Sequence, residues 1–308
     1  LGGNRFVLTG KAVERLHLGA GGDQIGRAVH GHAVVGRHGE FSLIERLQHR
    51  CGQQQPVDMV GAQILGHARV DQGLAVRRLA KELRDTCGIQ KGDRVAIIMR
   101  NYPQWALGFY AALSLGAIAT PMNSWWTAEE LEYGISFAGV KLAIVDLQIY
   151  ERIRDHLERM PDLKHLLIAR DTAEEIADPR VASLDAIVGD PNSWIDLEDV
   201  GPTGVEIGPD DDATIMYTSG TTGKPKGALA THRAIITNMF NSSTCQARMF
   251  LRKGEAIPEP DPTAMRGTLI SIPFFHATGA FAILVPSALR GDKIVSMYKW
   301  DAGEALPI

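Results

Sequence analysis

The residues best suited to chemistry lie in one run, YTSGTTGKPKG, from Tyr217 to Gly227. Its glycines let backbone N–H groups approach an anion closely, and its serine and threonines add hydroxyl donors. Lys224 and Lys226 add positive charge. A polyphosphate accepts several charge-assisted hydrogen bonds of this kind at once. The run therefore predicts a phosphate-binding loop.

The spacing of this run excludes one common class of nucleotide-binding loop. The Walker A pattern G-x-x-x-x-G-K-(S/T) is absent, because the glycines are spaced differently and Lys224 is followed by Pro225. The alternative to a binding loop is a flexible Gly/Thr linker. The length of the motif and its position between two apolar runs favour the binding loop.

A second cluster, PFFHATG, places His276 directly after two aromatic residues. Histidine changes its charge near neutral pH, which suits it to contacts with anions and to proton transfer. A lone histidine after an apolar strand is more often a core or surface residue, and Phe274 and Phe275 are equally suited to core packing. The residues by themselves leave these alternatives open.

Strands and helices alternate around these two clusters. The run KGDRVAIIMR (91–100) contains a continuous apolar stretch, which indicates a strand covered on both faces of a sheet. We predict further strands at 117–121, 141–146, 165–170, 213–218, 227–230, 267–273 and 293–297, and helices at 76–87, 103–116, 127–138, 149–159, 232–243 and 279–290. This order is typical of an α/β fold.

Two stretches lack such periodicity. Residues 1–67 hold six of the ten histidines and no sustained period of 2 or 3.6. We interpret 1–67 as an atypical segment, either disordered or mistranslated, and we expect the ordered domain to span 68–308. Residues 171–204 are acidic, contain proline and are weakly periodic, so we predict a surface connection there.

Composition and charge exclude several classes of partner and binding site. The 32 Lys and Arg against 36 Asp and Glu give a formal charge of -4, which provides no basic surface for nucleic acid or membrane. The three cysteines are far apart, which excludes a disulfide framework and a C-x-x-C metal site. No secretion signal or transmembrane run is visible, so we expect a soluble cytoplasmic protein that acts on a small molecule.

The Tyr217–Gly227 run matches (Y/F)-(T/S)-S-G-(S/T)-T-G-x-P-K-G at every position, so the chain resembles the adenylate-forming (AMP-binding) superfamily, and acyl-CoA synthetases most. The runs KGDRVAIIMRN (91–101), LGAIATPMNSWWTAEEL (115–131) and IPFFHATG (272–279) follow in the family order. The resemblance implies the layered αβαβα N-terminal domain of these α/β enzymes, incomplete and without the C-terminal lid domain.

In that family, a carboxylate attacks the α-phosphorus of ATP to give acyl-AMP and pyrophosphate, and a thiol then displaces AMP. The resemblance implies ATP, Mg²⁺ and coenzyme A as cofactors and co-substrates, a carboxylic acid as substrate, and no metal ligand from the chain. It assigns catalytic roles to Lys226 and His276, and substrate contacts to Phe275, His276 and Gly279. The residues implied to bind the nucleotide are Thr218, Ser219, Gly220, Thr221, Thr222, Gly223 and Lys226.

The runs NSWWTAEEL and PFFHATG look most like those of fatty-acid-CoA ligases, which makes a fatty acid the leading substrate. An aryl acid and a non-catalytic nucleotide-binding remnant stay open as alternatives. An amino acid is disfavoured, because peptide synthetases place an acidic residue where this chain has His276. The adenine-binding N-x-Y-G-x-T-E segment and the lid lysine do not occur before Ile308, so we expect this chain alone to be at best a weak nucleotide binder.

Two features nearby have structural explanations. His232 follows Thr231, a candidate N-cap, so we predict that His232 is a solvated first-turn residue. Trp125 and Trp126 precede the capping-box pattern of residues 127–130, and we predict for them a structural role at the entry to a helix.

Overall fold

The computed structural model of the protein describes residues 62–65, 70–170, 178–218, 224–258, 266–297 and 301–305. The chain divides into two compact units, one of which contains residues 237–258 of the described chain and the other the remaining described residues. Strands and helices alternate through most of the second unit, as predicted for an α/β fold. None of the described helices is long and apolar enough to cross a bilayer.

The larger sheet has seven strands in the order β6-β5-β4-β2-β3-β7-β8. Neighbouring strands run parallel, except that β7 and β8 form an antiparallel pair. The carboxyl ends of the parallel strands therefore lie along one edge of the sheet. The strands are β2 Arg94–Ile98, β3 Ile118–Pro121, β4 Val140–Asp146, β5 His165–Ala169, β6 Val181–Ser183, β7 Asp212–Thr218 and β8 Lys226–Thr231.

Helices connect these strands and cover the sheet: α1 Val70–Asp85, α2 Pro103–Ser114, α3 Ala128–Ala138, α4 Leu147–Ile153 and α5 Leu184–Val188. Every residue of α2 is buried, because its sequence is apolar on all sides. The strand β2 is buried from Val95 to Ile98. This confirms that the central strands are covered on both faces, as their continuous apolar runs predict.

A smaller sheet has the order β1-β10-β9, in which β10 pairs parallel with β9 and antiparallel with β1. Its strands are β1 Ala62–Leu65, β9 Gly267–Ile270 and β10 Lys293–Met297. A π-helix, Thr278–Leu284, and helix α7, Val285–Arg290, connect β9 to β10. β1 falls inside the segment 1–67; residues 1–61 and 66–67 lie outside the described residues. Helix α8 spans Ala302–Ala305.

Helix α6, His232–Arg252, is longer than the predicted 232–243. At Ser242, Ser243 and Thr244, close to the predicted end, each hydroxyl group donates to the backbone carbonyl oxygen four residues earlier. The hydroxyl groups therefore find hydrogen-bond acceptors within the helix and do not draw the backbone into a non-helical conformation. The helix then continues through residues 245–252.

The predicted surface connection over 171–204 is mostly exposed or half-buried in its described part, and it contains three short elements: β6, α5 and a 3₁₀-helix, Pro191–Asp196. Leu184 and Trp194 are buried and anchor the stretch. Side chains that hydrogen-bond the first turn, such as Ser183 for α5, start these short elements. Too few apolar residues recur in 178–204 to give a periodic signal.

Two other predicted elements differ in their details. The helix predicted at 149–159 begins at Leu147 and tightens into a 3₁₀-helix at Arg154–Arg159. The strand predicted at 267–273 ends at Ile270. Beyond it, the carbonyl oxygen of Ile272 and the N–H of Phe274 bond to the side chain of Asn101, which follows β2.

Candidate functional site

The candidate site lies along the edge of the larger sheet where the parallel strands end. β2 ends at Ile98, β3 at Pro121 and β7 at Thr218, and these three strands run parallel. In open α/β sheets, ligands bind outside the carboxyl ends of the strands. The run Tyr217–Gly227, called the Gly/Thr run below, therefore starts at the edge of the sheet that is suited to binding a ligand.

The two ends of the Gly/Thr run face each other across a hairpin. Thr218 is paired with Lys226 in the ladder between β7 and β8, and its hydroxyl group lies 3.4 Å from the carbonyl oxygen of Lys226. Both residues are exposed to solvent. Ser219, Gly220, Thr221, Thr222 and Gly223, which complete the predicted set, lie outside the described residues. The structure therefore places the start and the end of the run.

Tyr217 anchors the start of the run to helix α3. Its hydroxyl group donates to the carbonyl oxygen of Gly134, 2.7 Å away. Burial, with Tyr133 nearby, raises the pKa of Tyr217 to about 12. The phenol therefore keeps its proton at neutral pH and remains a donor. Gly134 is buried, and a Cβ atom there would lie 2.9 Å from the Trp126 ring, so the close packing requires glycine.

The aromatic–His turn, residues 273–279, lies at the end of β9. Phe274 is fully buried, and its ring centroid lies 5.2 Å from that of Trp105. Phe275 is half-buried and His276 is exposed. The two phenylalanines thus differ: Phe274 belongs to the core, whereas Phe275 and His276 lie where they can meet a bound molecule.

Asn101, which sequence reasoning missed as a site residue, ties the aromatic–His turn to the larger sheet. Its side-chain amide donates to the carbonyl oxygen of Ile272 at 2.9 Å, and its side-chain oxygen accepts from the backbone N–H of Phe274 at 2.8 Å. The backbone oxygen of Asn101 also accepts from Ser296 in β10. A polar residue just beyond the carboxyl end of a buried strand is the signal that points to such a role.

Two consecutive tryptophans connect the aromatic–His turn with the Gly/Thr run. Trp125 meets Phe275 edge to face, with ring centroids 5.4 Å apart, and Trp126 meets Tyr217 in the same way at 5.3 Å. Such aromatic pairs favour an edge-to-face geometry. The predicted capping box of residues 127–130 is confirmed by both of its hydrogen bonds. The tryptophans therefore contact the aromatic–His turn and the Gly/Thr run, in addition to preceding helix α3.

The tryptophan pair is itself held by helix α4. Arg152 donates to the backbone oxygens of Ser124 and Trp126, each 2.8 Å away. At the start of this helix, the Asp146 side chain accepts from the N–H of Ile149. Burial raises the pKa of Asp146, and the hydrogen bonds from backbone N–H groups only partly oppose that shift.

Two predicted residues occupy buried positions. Gly279 packs against the backbone of Pro273, where a Cβ atom would lie 2.8 Å from the Pro273 carbonyl carbon. The prediction that His232 is solvated is wrong, because His232 is buried at the start of α6. The N-cap role of Thr231 is confirmed, since its hydroxyl group accepts from the N–H of Ala234.

The described residues contain no group of three or more His, Cys, Asp or Glu side chains arranged to hold a metal ion. At the candidate site they offer hydroxyl, amide and ammonium groups, which suit an anion better than a bare cation. Residues of this kind fit the phosphates of a Mg²⁺–nucleotide complex, in which the phosphates themselves hold the metal.

Comparison with known proteins identifies relatives of the chain. The AMP-binding enzyme family matches residues 70–306. The long-chain-fatty-acid–CoA ligase FadD13 of Mycobacterium tuberculosis is 32% identical over 219 residues, 70% of this chain and 37% of that protein. The 4-coumarate–CoA ligase 3 of Arabidopsis thaliana is 26% identical over 255 residues, 82% of this chain and 41% of that protein. The chain thus spans about two fifths of the length of these relatives.

The fold is also found among solved structures. The inhibitor-bound crystal structure of the N-terminal domain of FACL13 from Mycobacterium tuberculosis matches with a TM-score of 0.56 and 27% identity, covering 77% of this chain and 51% of that chain. This confirms the α/β architecture of the N-terminal domain of adenylate-forming enzymes that the sequence predicts.

Proposed function

We propose that this chain, which belongs to the AMP-binding enzyme family, carries the nucleotide-binding part of a ligase that activates a carboxylic acid with ATP. The acid's carboxylate oxygen attacks the α-phosphorus of ATP, the bond to the bridging oxygen breaks, and pyrophosphate leaves. The product is an acyl-adenylate. The thiol of coenzyme A then attacks the acyl carbon and expels AMP, which gives the acyl-CoA thioester.

The observation that carries this proposal is the arrangement of two site halves on one edge of the sheet. Tyr217 belongs to the Gly/Thr run and contacts Trp126, and Phe275 belongs to the aromatic–His turn and contacts Trp125. Trp125 and Trp126 are successive residues and contact one half each. A nucleotide held at the run and an acid held at the turn would then meet over a short distance, and such positioning supplies much of the rate of a group transfer.

The role we assign to Lys226 is to stabilise negative charge on the leaving pyrophosphate. Its ammonium group has no side-chain partner within the described part of the chain, and Thr218 opposite it adds a hydroxyl group. Fixed donors directed at developing charge stabilise a transition state without reorganising. Backbone N–H groups of the Gly/Thr run and Mg²⁺ bound with ATP would supply the remaining charge neutralisation.

We assign the acid site to Phe275, His276 and Gly279. His276 is exposed beside the half-buried ring of Phe275, which suits a residue that meets the acid's carboxylate, whereas the buried Gly279 supports the turn from within. A fatty acid is the proposed substrate, because FadD13, a long-chain-fatty-acid–CoA ligase by name, shares 32% identity with this chain. An aryl acid is the second candidate, since coumarate–CoA ligases are also among the relatives.

ATP–pyrophosphate exchange tests the proposed function. The measurement follows labelled pyrophosphate into ATP in the presence of Mg²⁺, with saturated fatty acids of increasing length in one panel and hydroxycinnamic acids in another. It uses this chain and a version that spans the full length of its relatives. We expect acid-dependent exchange from the full-length version and not from this chain alone, and the panel that supports exchange names the substrate class. If the full-length version is folded and shows no exchange with any acid, the protein is a non-catalytic remnant.

Lys226→Met is the informative variant in this assay. Losing a charge-assisted hydrogen bond to phosphate is expected to lower the exchange rate by about 10- to 100-fold. Lys164→Met is the matched control, because Lys164 is also exposed but precedes β5 at the opposite edge of the sheet, where its ammonium group donates to the backbone oxygen of Pro161. An equal rate in the Lys226 variant and the wild type would remove Lys226 from the site.

A further inference from the structure

Two neighbouring residues of α3 contact both flanks of the Gly/Thr run. On the upstream flank, the hydroxyl group of Tyr217 donates to the backbone oxygen of Gly134. On the downstream flank, the ammonium group of Lys224 lies 5.0 Å from the centroid of the Tyr133 ring. Because Tyr133 and Gly134 are adjacent on one helix, α3 supports both flanks in addition to the ladder that pairs Thr218 with Lys226.

The Lys224 contact has the geometry of a cation–π interaction. An ammonium group within about 6 Å of a ring centroid is attracted to the negative face of the ring. The Tyr133 ring is itself supported by Phe137, one helical turn further on, with ring centroids 5.4 Å apart and an angle of 19° between the rings. Lys224 therefore rests on a ring that already has a fixed orientation.

The two lysines of the run thus differ in their surroundings. Lys224 is engaged with Tyr133, whereas no described side chain pairs with the ammonium group of Lys226. We propose that Tyr133 is a positioning residue, which holds Lys224 so that α3 anchors both flanks of the run and leaves Lys226 as the lysine that binds phosphate. The proposal that phosphate is the ligand rests on the proposed function; the contact itself does not.

Gly134 gives this arrangement a second support. The Trp126 ring packs over Gly134 and meets the ring of Tyr217 edge to face. The upstream flank is therefore held by a hydrogen bond and by ring packing. On the downstream flank, the ladder with β7 holds the chain from Lys226 onward, whereas Lys224, which precedes the ladder, contacts Tyr133. Removing that contact should release the Lys224 side chain and leave the ladder in place.

MgATP affinity, measured by isothermal titration calorimetry on the full-length version and its variants, tests the positioning role. Tyr133→Leu and Lys224→Met should each weaken MgATP binding by about two- to fivefold, the range expected for an exposed cation–π contact. The double variant should bind no more weakly than either single variant, because both changes remove the same contact. Tyr133→Phe and Lys224→Arg keep the ring and the cation and should restore the affinity.

Lys226→Met and Lys164→Met complete the set. The Lys226 change should weaken MgATP binding more than the Lys224 change does, and its effect should add to that of Tyr133→Leu. Lys164→Met, at the other edge of the sheet, should have no effect. The proposal is overturned if Lys224→Met weakens binding while Tyr133→Leu does not, because Lys224 would then contact phosphate directly.

A measurement without nucleotide separates this inference from the proposed function. Lysines labelled with ¹³C-methyl groups keep their charge, and the resonance of Lys224, assigned by its absence in Lys224→Arg, should be displaced by the ring current of Tyr133. The displacement should vanish in Tyr133→Leu and persist in Tyr133→Phe. An undisplaced resonance overturns the contact. A displaced resonance in a full-length version that binds no MgATP counts against the proposed function and leaves the contact standing.

Discussion

His232 shows how burial, more than any neighbouring charge, lowers the pKa of one residue. It begins α6, its backbone N–H donates to the backbone oxygen of Asp211, and its Nε2 atom has no hydrogen-bond partner among the described residues. Burial lowers the pKa of His232; Asp211 opposes this shift, and Lys91, which pairs with Asp211, adds to it. His232 is therefore neutral in the folded protein at pH 7.

This predicts a loss of stability in mild acid. An unfolded histidine binds a proton below about pH 6.5, whereas folded His232 does so only at a lower pH. The unfolded state takes up more protons between these two values, so the free energy of unfolding falls as the pH falls below about 6.5, with a slope of at most about 1.4 kcal/mol per pH unit. Urea unfolding at several pH values from 7 to 5 measures this slope.

His232→Gln should remove this slope, because glutamine does not titrate. The control is the region above about pH 8, where His232 is neutral in both the folded and the unfolded state and the stabilities of the two proteins should differ by a constant amount. A slope that persists in His232→Gln would assign the acid sensitivity to other groups.

The sequence was most informative for residues whose chemistry is local. The Gly/Thr run, with Lys226 near its end, and the turn with His276 were recognisable because the chemistry of glycine, lysine and histidine does not depend on partners elsewhere in the chain. Asn101 and Tyr133 were not, because their importance comes from partners 171 and 91 positions away along the chain, Ile272 and Lys224. His232 was misjudged for the same reason: an N-cap pattern places a residue on a helix but does not say what covers it.

At the scale of elements, the turn between β9 and the π-helix is held from two sides. Asn101 bonds its backbone from the larger sheet, and Gly279 lets the first turn of the π-helix close onto Pro273. Single π-turns occur frequently at functional sites, where they redirect side chains. Here the π-helix begins at Thr278, two residues after the exposed His276.

Gly279→Ala should therefore disturb this turn. A methyl group there meets backbone atoms that cannot move aside, so we expect a loss of about 1–3 kcal/mol in the free energy of unfolding. Gly267→Ala is the matched control, because a Cβ atom at Gly267 meets nothing within 4 Å, and its change should stay within about 0.5 kcal/mol. Urea titration with an unchanged m-value compares the two variants. Equal changes in the free energy of unfolding would mean that the turn accommodates a methyl group at residue 279.

Element order and type were largely predictable, because buried parallel strands and apolar helices give long signals. The central strands from β2 to β5 and helices α2 and α3 lie close to where hydrophobic patterning places them. Irregular elements were not predictable. Periodicity gives no signal for the π-helix that begins at Thr278 or for the 3₁₀-helix that begins at Arg154, and the π-helix also depends on the close approach of Gly279 to the Pro273 backbone.

At the scale of the whole molecule, the larger sheet ends in an exposed strand. β8 is last in the strand order and pairs with β7 on one side only among the described strands. From Lys226 to Leu229 it is exposed, and the Leu229 side chain presents an apolar surface to solvent. Unpaired strand edges of this kind pair readily with another chain, and charged residues are the usual protection against it.

Leu229→Lys should accordingly reduce self-association. Ile195 is the matched control: it is 57% exposed against 56% for Leu229, but it lies in a 3₁₀-helix and not on a strand edge. Sedimentation velocity at rising protein concentration should show less association for Leu229→Lys than for the wild type, with a free energy of unfolding unchanged to within about 0.5 kcal/mol. Ile195→Lys adds the same charge to a different surface, so an equal gain from it would attribute the effect to net charge. A gain confined to Leu229→Lys would assign the association to pairing along β8, because only there does the added ammonium group have to be buried against a second strand.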